Sequence, residues 1–277
     1  MSDGSPNKTA LAKALGLARS TLYYHSKQAV KDWRLKARIE DVLAANPSYG
    51  YPRVAQALHV NHKRAERVMH LFGLKAYRRR GRRWRKPRKN PTSYPNLLRA
   101  IMPAFPGHVW AADFTHLWYR GKVFYLATTL DLFTREIVGW SLQTSHGVGL
   151  PLQALFGGLA AHAHPNIFHS DNGSEYGSVA FAHVLEDLGV AISRSRPGCP
   201  WENGYQESFY SSFKVDLGDP NRFASLGEFV YALYRAIHTY NRSRIHTALK
   251  MPPLTFAKLA LAAPVQASEK ASDVWGY

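Results

Sequence analysis

Residues 109–118, Val-Trp-Ala-Ala-Asp-Phe-Thr-His-Leu-Trp, make an apolar and aromatic run broken by one acid, Asp113. Such a composition favours a half-buried strand. A carboxylate inside it is disfavoured both by strand propensity and by the cost of burying charge, so something must compensate it. Outward from this run, Val123–Leu132 and Glu136–Gln143 repeat the strand pattern after Arg120-Gly121 and after Phe133–Arg135, which predicts an antiparallel meander. Helical spacing over Gly147–His162, an apolar strand at Asn166–Ser170, a helix at Ser178–Leu188 and a strand at Val190–Ser193 then alternate, the pattern that adds parallel strands to a sheet. Trp201–Leu217 and Ser225–Arg242 read as two long helices. The fold class expected is α/β, a mixed five-stranded sheet flanked by helices.

Two further acids stand at informative places. Asp171 follows Ile167-Phe168 and precedes Asn172-Gly173, at the C-terminal end of a strand, where α/β proteins open their sites. Glu207 falls on a helix with Asn203 one turn before it and Lys214 two turns after, spacings that share a helix face. Each acid also has a plain reading: Asp113 as half of an ion pair, Asp171 as a turn former, Glu207 as an exposed helical acid. Spacing does not choose between these. Three carboxylates brought together would repel one another, and a divalent cation with oxygen ligands relieves that. Two such ions about 4 Å apart suit phosphodiester displacement.

Charge points to the same chemistry. The 277 residues hold 36 Lys and Arg against 19 Asp and Glu, a net +17, which predicts attraction to nucleic acid ahead of anionic membrane. Residues 1–100 carry 23 of the bases and 5 of the acids, so the excess is N-terminal. Ten of the fifteen positions in Lys75–Lys89 are basic and none is acidic. There Arg78, Arg79, Arg80, Arg82, Arg83 and Arg85 surround Tyr77 and Trp84, and Gly81, Pro87, Pro91 and Pro95 oppose a compact fold. An extended linker tracking phosphates fits; a solvated tail is the plain alternative. The lone Cys199 excludes an internal disulfide and a multi-thiolate zinc site. His162, His164 and His169 read as surface or packing residues rather than zinc ligands. No apolar stretch reaches the roughly 20 residues of a membrane span, and the polar Met1–Lys13 lacks a secretory pattern, so a cytoplasmic protein without a membrane partner is expected.

Before the linker, Thr9–Leu15 and Ala18–His25 read as helices parted by Gly16, compatible with a helix-turn-helix presenting Arg19, Ser20, Thr21 and Tyr24, or with a plain hairpin. Asp32–Ala45, Tyr51–His59 and His62–Phe72 predict a three-helix bundle, with His62, Lys63, Arg64 and Arg67 as donors for phosphate near the start of the last helix.

At Trp110–Thr115, Asp131–Arg135, Ile137–Trp140, His169–Tyr176, Ser193–Gly198, Trp201–Phe209 and Tyr240–His246 with Pro252-Pro253, the chain resembles the transposases of bacterial insertion sequences, the OrfB type of the family called insertion sequence three, related to retroviral integrases. The 57 residues between Asp113 and Asp171 and the 35 between Asp171 and Glu207 are similar to that family's spacing of catalytic acids. The resemblance implies a ribonuclease-H-like core in which Asp113, Asp171 and Glu207 are catalytic and metal-binding, Asn172 and Asn203 support them, and two Mg2+ or Mn2+ ions serve as cofactors. It further implies cleavage of double-stranded DNA at element ends by water and joining to target DNA by a 3′-hydroxyl, without a covalent protein intermediate. Lys214, Arg242 and Arg244 are candidate DNA contacts; Glu175, Glu202 and Asp131 are taken as structural or supporting. A homo-oligomer on DNA is expected. The resemblance also implies a possible upstream reading-frame product, as fusion or partner, and no sustained heptad is present in this chain. The alternatives are a regulator that binds ends without cutting and a nuclease of the same superfamily. The expected organisation is a helix-turn-helix-like segment (1–30), a DNA-binding bundle (31–76), a basic linker (77–106), the catalytic core (107–262) and a tail (263–277).

Overall fold

In the computed structural model, residues 8–23, 27–77, 94–196 and 199–262 are described. Arg78, Arg79, Arg80, Arg82, Arg83 and Arg85 and the tail from 263 lie outside them.

The strand runs fold as their patterns predict. β1 (Val109–Tyr119) turns through Arg120 and Gly121, both at positive φ of 46° and 76°, into β2 (Lys122–Asp131). That is the two-residue hairpin geometry matching strand twist. β2 pairs antiparallel with β3 (Ile137–Gln143). β4 (Ile167–Ser170) joins the other side of β1 in parallel and β5 (Ala191–Arg194) extends it, for a five-stranded order β3-β2-β1-β4-β5.

Alternation along β1 feeds two cores. Val109 and Ala111 pack with Phe209, Phe213, Phe229 and Leu233 of α7 (Gly204–Leu217) and α8 (Leu226–Arg242). Trp110 and Ala112 pack on the opposite face with Leu155 of α5 (Gly149–Leu159) and Phe181 of α6 (Val179–Asp187). Coverage on both faces is why the start of β1 is uninterruptedly apolar. Gly139 in β3 lets α5 approach closely: a Cβ there would sit 2.0 Å from the Ala154 carbonyl oxygen.

Towards the N-terminus, α1 (Lys8–Ala14) is followed by a single 3₁₀ turn, Arg19–Tyr23, where a second α-helix was expected; residues 24–26 are outside the description. α2 (Gln28–Ala45), α3 (Tyr51–Ala57) and α4 (His62–Leu71) make the expected bundle around Leu35, Ile39, Val54 and Val68, with the Asn61 side chain capping α4. Arg67, expected to face phosphate, is instead paired through both terminal nitrogens with buried Asp32, at 2.8 and 2.6 Å.

Arg244 is a second correction. It is 5% exposed, and its guanidinium binds Asp216 at the end of α7 and the Ser48 hydroxyl (2.8 Å) of the bundle. The Ile245 N–H donates to the Tyr49 hydroxyl at 2.9 Å alongside. A guanidinium committed to these partners ties the bundle to the core and is withdrawn from DNA. α9 (Pro253–Ala262) packs on α8. No helix among the described residues is long and apolar enough to cross a membrane.

Gly139→Ala should cost about 3 kcal/mol or more in urea-monitored unfolding, because backbone atoms and not a yielding side chain meet the new methyl. Gly147→Ala, with nothing within 4 Å of its Cβ position, should stay within about 0.5 kcal/mol. Equal costs at both positions would refute the close-approach account.

Candidate active site

Parallel pairing of β1 with β4 ends at Ala112 opposite Ser170. The next residues on the two strands are Asp113 and Asp171, so register alone sets them side by side at the C-terminal end of the pair. Asp113 Oδ1 accepts from the Phe114 N–H (2.8 Å), and its carbonyl accepts from the Tyr210 hydroxyl of α7 (2.7 Å). Asp171 turns the chain, its Oδ1 accepting from the Gly173 N–H at 2.9 Å. Asn172 donates to the Ser195 carbonyl at 2.5 Å, fixing this turn to the segment after β5. Behind it His169 bridges the hydroxyls of Ser193 (2.9 Å) and Ser195 (3.0 Å). Burial pushes this imidazole down to about 4, so it bridges them as a neutral ring.

α7 brings the third acid. Gln206, fully buried, donates to the carbonyls of Ala111 (2.6 Å) and Thr128 (3.3 Å) and pins the helix across β1 and β2. The adjacent Glu207 is exposed and lines an open groove of about 1140 Å³ together with Asp113, Tyr210 and Lys214. Asp171 does not line this groove, though its charge reaches Asp113. Asn203, expected on the face of Glu207, is instead buried at 6% exposure, its side-chain oxygen without a partner. Arg242 is exposed at the end of α8.

Electrostatics show what this juxtaposition costs. Burial, then the charge of Asp171 and further that of Glu207, push the Asp113 carboxyl up to about 8, against the Phe114 N–H and Lys214, which favour ionisation. Asp171 is raised by burial and by Glu175, opposed by the Gly173 N–H and by Arg194. Among the described residues no three acids, histidines or cysteines already close on one point as metal ligands. The rival acids have partners of their own. Asp131 accepts from the N–H groups of Gly107, Phe133 and Thr134. Glu202 accepts from Arg196 and Asn96. Glu175 accepts from Ser174 at 3.1 Å and meets His146 Nδ1 at 2.5 Å.

Sequence reasoning passed over Gln206, Tyr210 and His146, and read His169 as a surface or packing residue without the two serines it bridges. For the first two a signal existed: with Phe213 and Leu217 they fall on the buried stripe of α7, where a polar residue needs a partner. For the histidines there was none.

A three-strand meander extended by two parallel strands, with acids at the end of the parallel pair, is the ribonuclease-H-like fold of the integrase class. Two models described as "Integrase core domain" match residues 103–200 and 188–253. The transposase for insertion sequence element IS904 of Lactococcus lactis subsp. lactis (strain IL1403) is 34% identical over 81% of this chain and 93% of its own length. The putative transposase InsK for insertion sequence element IS150 of Escherichia coli (strain K12) is 32% identical over 87% and 89%. A simian T-cell lymphotropic virus intasome, solved with PP2A regulatory subunit B56 gamma, contains a chain that superposes with a TM-score of 0.50 at 19% identity, covering 77% of this chain and 72% of that one. The last likeness is one of fold. The chain belongs to the insertion-sequence transposases with an integrase core, and is a DNA transposase.

Because Asp113 titrates near 8 when folded and near 3.8 when unfolded, the folded state favours its protonated form. In metal-free buffer that penalty is absent below about pH 4, grows as pH rises and levels off above about 8. Asp113→Asn should therefore be more stable than the parent at pH 8, by about 1–3 kcal/mol in urea unfolding, and indistinguishable at pH 4. A variant no more stable at pH 8 would contradict the burial and charge assigned to this carboxyl.

Proposed function

We propose that this chain is a metal-dependent transposase that cuts DNA at element ends and joins the freed 3′-hydroxyl to target DNA, with Asp113, Asp171 and Glu207 as its catalytic acids. The observation that carries the proposal is the register of β1 and β4: it sets two aspartates on adjacent strands, raises both above ordinary carboxylates, and leaves a glutamate lining the groove beside them. Two buried aspartates and an exposed glutamate, all oxygen donors, fit hard divalent cations, Mg2+ or Mn2+, and give nothing for a soft metal. Asp113, Asp171 and Glu207 would hold them, as a pair in the active complex. Bound there, such ions neutralise the acids and polarise the attacked phosphodiester.

The chain's own groups do the rest. Lys214 supplies a positive charge in the groove for a backbone phosphate. Asn172 and the His169 bridge hold the Asp171 turn, and Gln206 and Tyr210 hold α7 and with it Glu207. Exposed Arg242 and the arginines of residues 78–85 add sequence-independent affinity for duplex DNA. The bundle of residues 31–76 is assigned to end binding, residues 107–262 to catalysis, and assembly on DNA to copies of this chain with or without an upstream reading-frame product.

Asp113→Asn, Asp171→Asn and Glu207→Gln should each lower cleavage and strand transfer on end-containing DNA with Mg2+ by about a thousandfold or more, as loss of transition-state charge stabilisation does. Glu40→Gln, on an exposed position of α2, should keep activity within about twofold. Parent-like activity in any of the three acid variants would reject that acid's assignment, and cutting without joining would recast the protein as a nuclease.

A further inference from the structure

β4 is four residues long and β1 eleven, so beyond Ala112 the β1 edge is uncovered and side chains from both sheet faces reach the groove that holds Asp113 and Glu207. On the face opposite α7 these are Phe114, His116 and Trp118. Trp118 is 60% exposed, an unusual state for the largest apolar side chain of a folded core.

The rings are not scattered. His146 stacks on Phe114 at 6.1 Å with an interplanar angle of 14°, Tyr125 packs 4.9 Å from His146 and 5.0 Å from His116, and Phe114 lies 6.1 Å from His116. His146 is fixed from behind by Glu175, the acid whose Oε2 and the Oδ1 of Asp171 both lie about 3 Å from where a Gly173 Cβ would be. The cluster is thus braced against both aspartate-bearing strands. Phe114 and Tyr125 root it against the apolar packing of Ala127, Leu150 and Ala154, whereas His116, Trp118 and His146 belong to no core cluster.

We propose that Phe114, His116 and Trp118, backed by Tyr125 and His146, form a stacking site for an unpaired DNA base beside the reacting phosphate. This rests on the transposase reading above and adds a subsite to it. One feature selects a base over a protein partner: the rings line the same groove as Asp113, Glu207 and Lys214, where the transposase reading puts DNA. Stacking on exposed rings is tolerant of base identity because every base has a π face. A strand held in this way would leave the duplex next to the acids, and would position its phosphate without a sequence requirement.

The test compares a twelve-nucleotide oligothymidylate with an abasic strand of equal length and charge, bound by the full chain in EDTA and followed by fluorescence anisotropy. The parent should prefer the base-bearing strand by about tenfold, the scale of one or two stacked bases. Trp118→Ala and His146→Ala should lower that preference to within about twofold while leaving abasic-strand affinity unchanged, and Trp118→Phe should restore most of it. Equal affinity of the parent for the two strands, or a preference surviving both alanine variants, overturns the proposal. Asp113→Asn should keep the base preference while losing cleavage, so failure of the stacking site and failure of the catalytic assignment give different results.

Discussion

Parallel pairing between β1 and β4 lasts for four rungs, and the rest of the site depends on where it stops. Backbone groups of both strands are satisfied by each other up to Ala112 and Ser170. Past that point Asp113 stays paired with Thr128 on its β2 side only, and Asp171 leaves the sheet. The same shortfall of β4 opens the β1 edge and creates the groove. A longer β4 would have covered Phe114 through Trp118 and closed the space between Asp113 and Glu207. One strand length therefore sets the position of the carboxylates and the access to them.

Holding the acids there strains electrostatics rather than covalent geometry. Burial raises both Asp113 and Asp171, helped by Asp171 and Glu207 at the first and by Glu175 at the second, and neutral hydrogen bonds hold their surroundings: the Phe114 and Gly173 N–H groups, Asn172 to Ser195, and His169 between two serines. α7 is anchored in the same neutral manner by Gln206 and Tyr210. The cations nearest the acids, Lys214 and Arg194, only partly offset this rise. Arg67 and Arg244 are spent within the N-terminal bundle and between the bundle and the core, so that residues 28–77 and the core share one frame. A site rigid in its backbone and short of positive charge is suited to receiving that charge from outside.

Polarity is divided along the chain. The basic excess lies in the first hundred residues, while the half with the acids is close to neutral. Long-range attraction to DNA and local chemistry are thereby assigned to different segments, and a polyanion is drawn to the molecule without neutralising the carboxylates.

The meander with its parallel additions and the helices of bundle and core were legible in the sequence, because strand and helix periods are local signals; Asp113 stood out as a charge inside an apolar run, while the choice of Asp171 and Glu207 beside it came from the family resemblance. The segment Ala18–His25 misled, since one turn of spacing cannot separate an α-helix from the 3₁₀ turn that forms at Arg19–Tyr23. Arg244 and Arg67 misled for another reason. A basic or amide side chain reads the same whether it faces solvent, DNA or a buried partner, and Ser48, Asp216 and Asp32 lie 196, 28 and 35 positions from the arginines they hold. The stacking of His146 on Phe114 and its bond to Glu175 were equally invisible, as they join a loop, a strand and a turn that approach only when the sheet closes. What the sequence determined by itself was which residues could do chemistry. Which of them are free to do it was decided by tertiary structure, because only packing at a distance settles whether a polar group's partner is already inside the molecule.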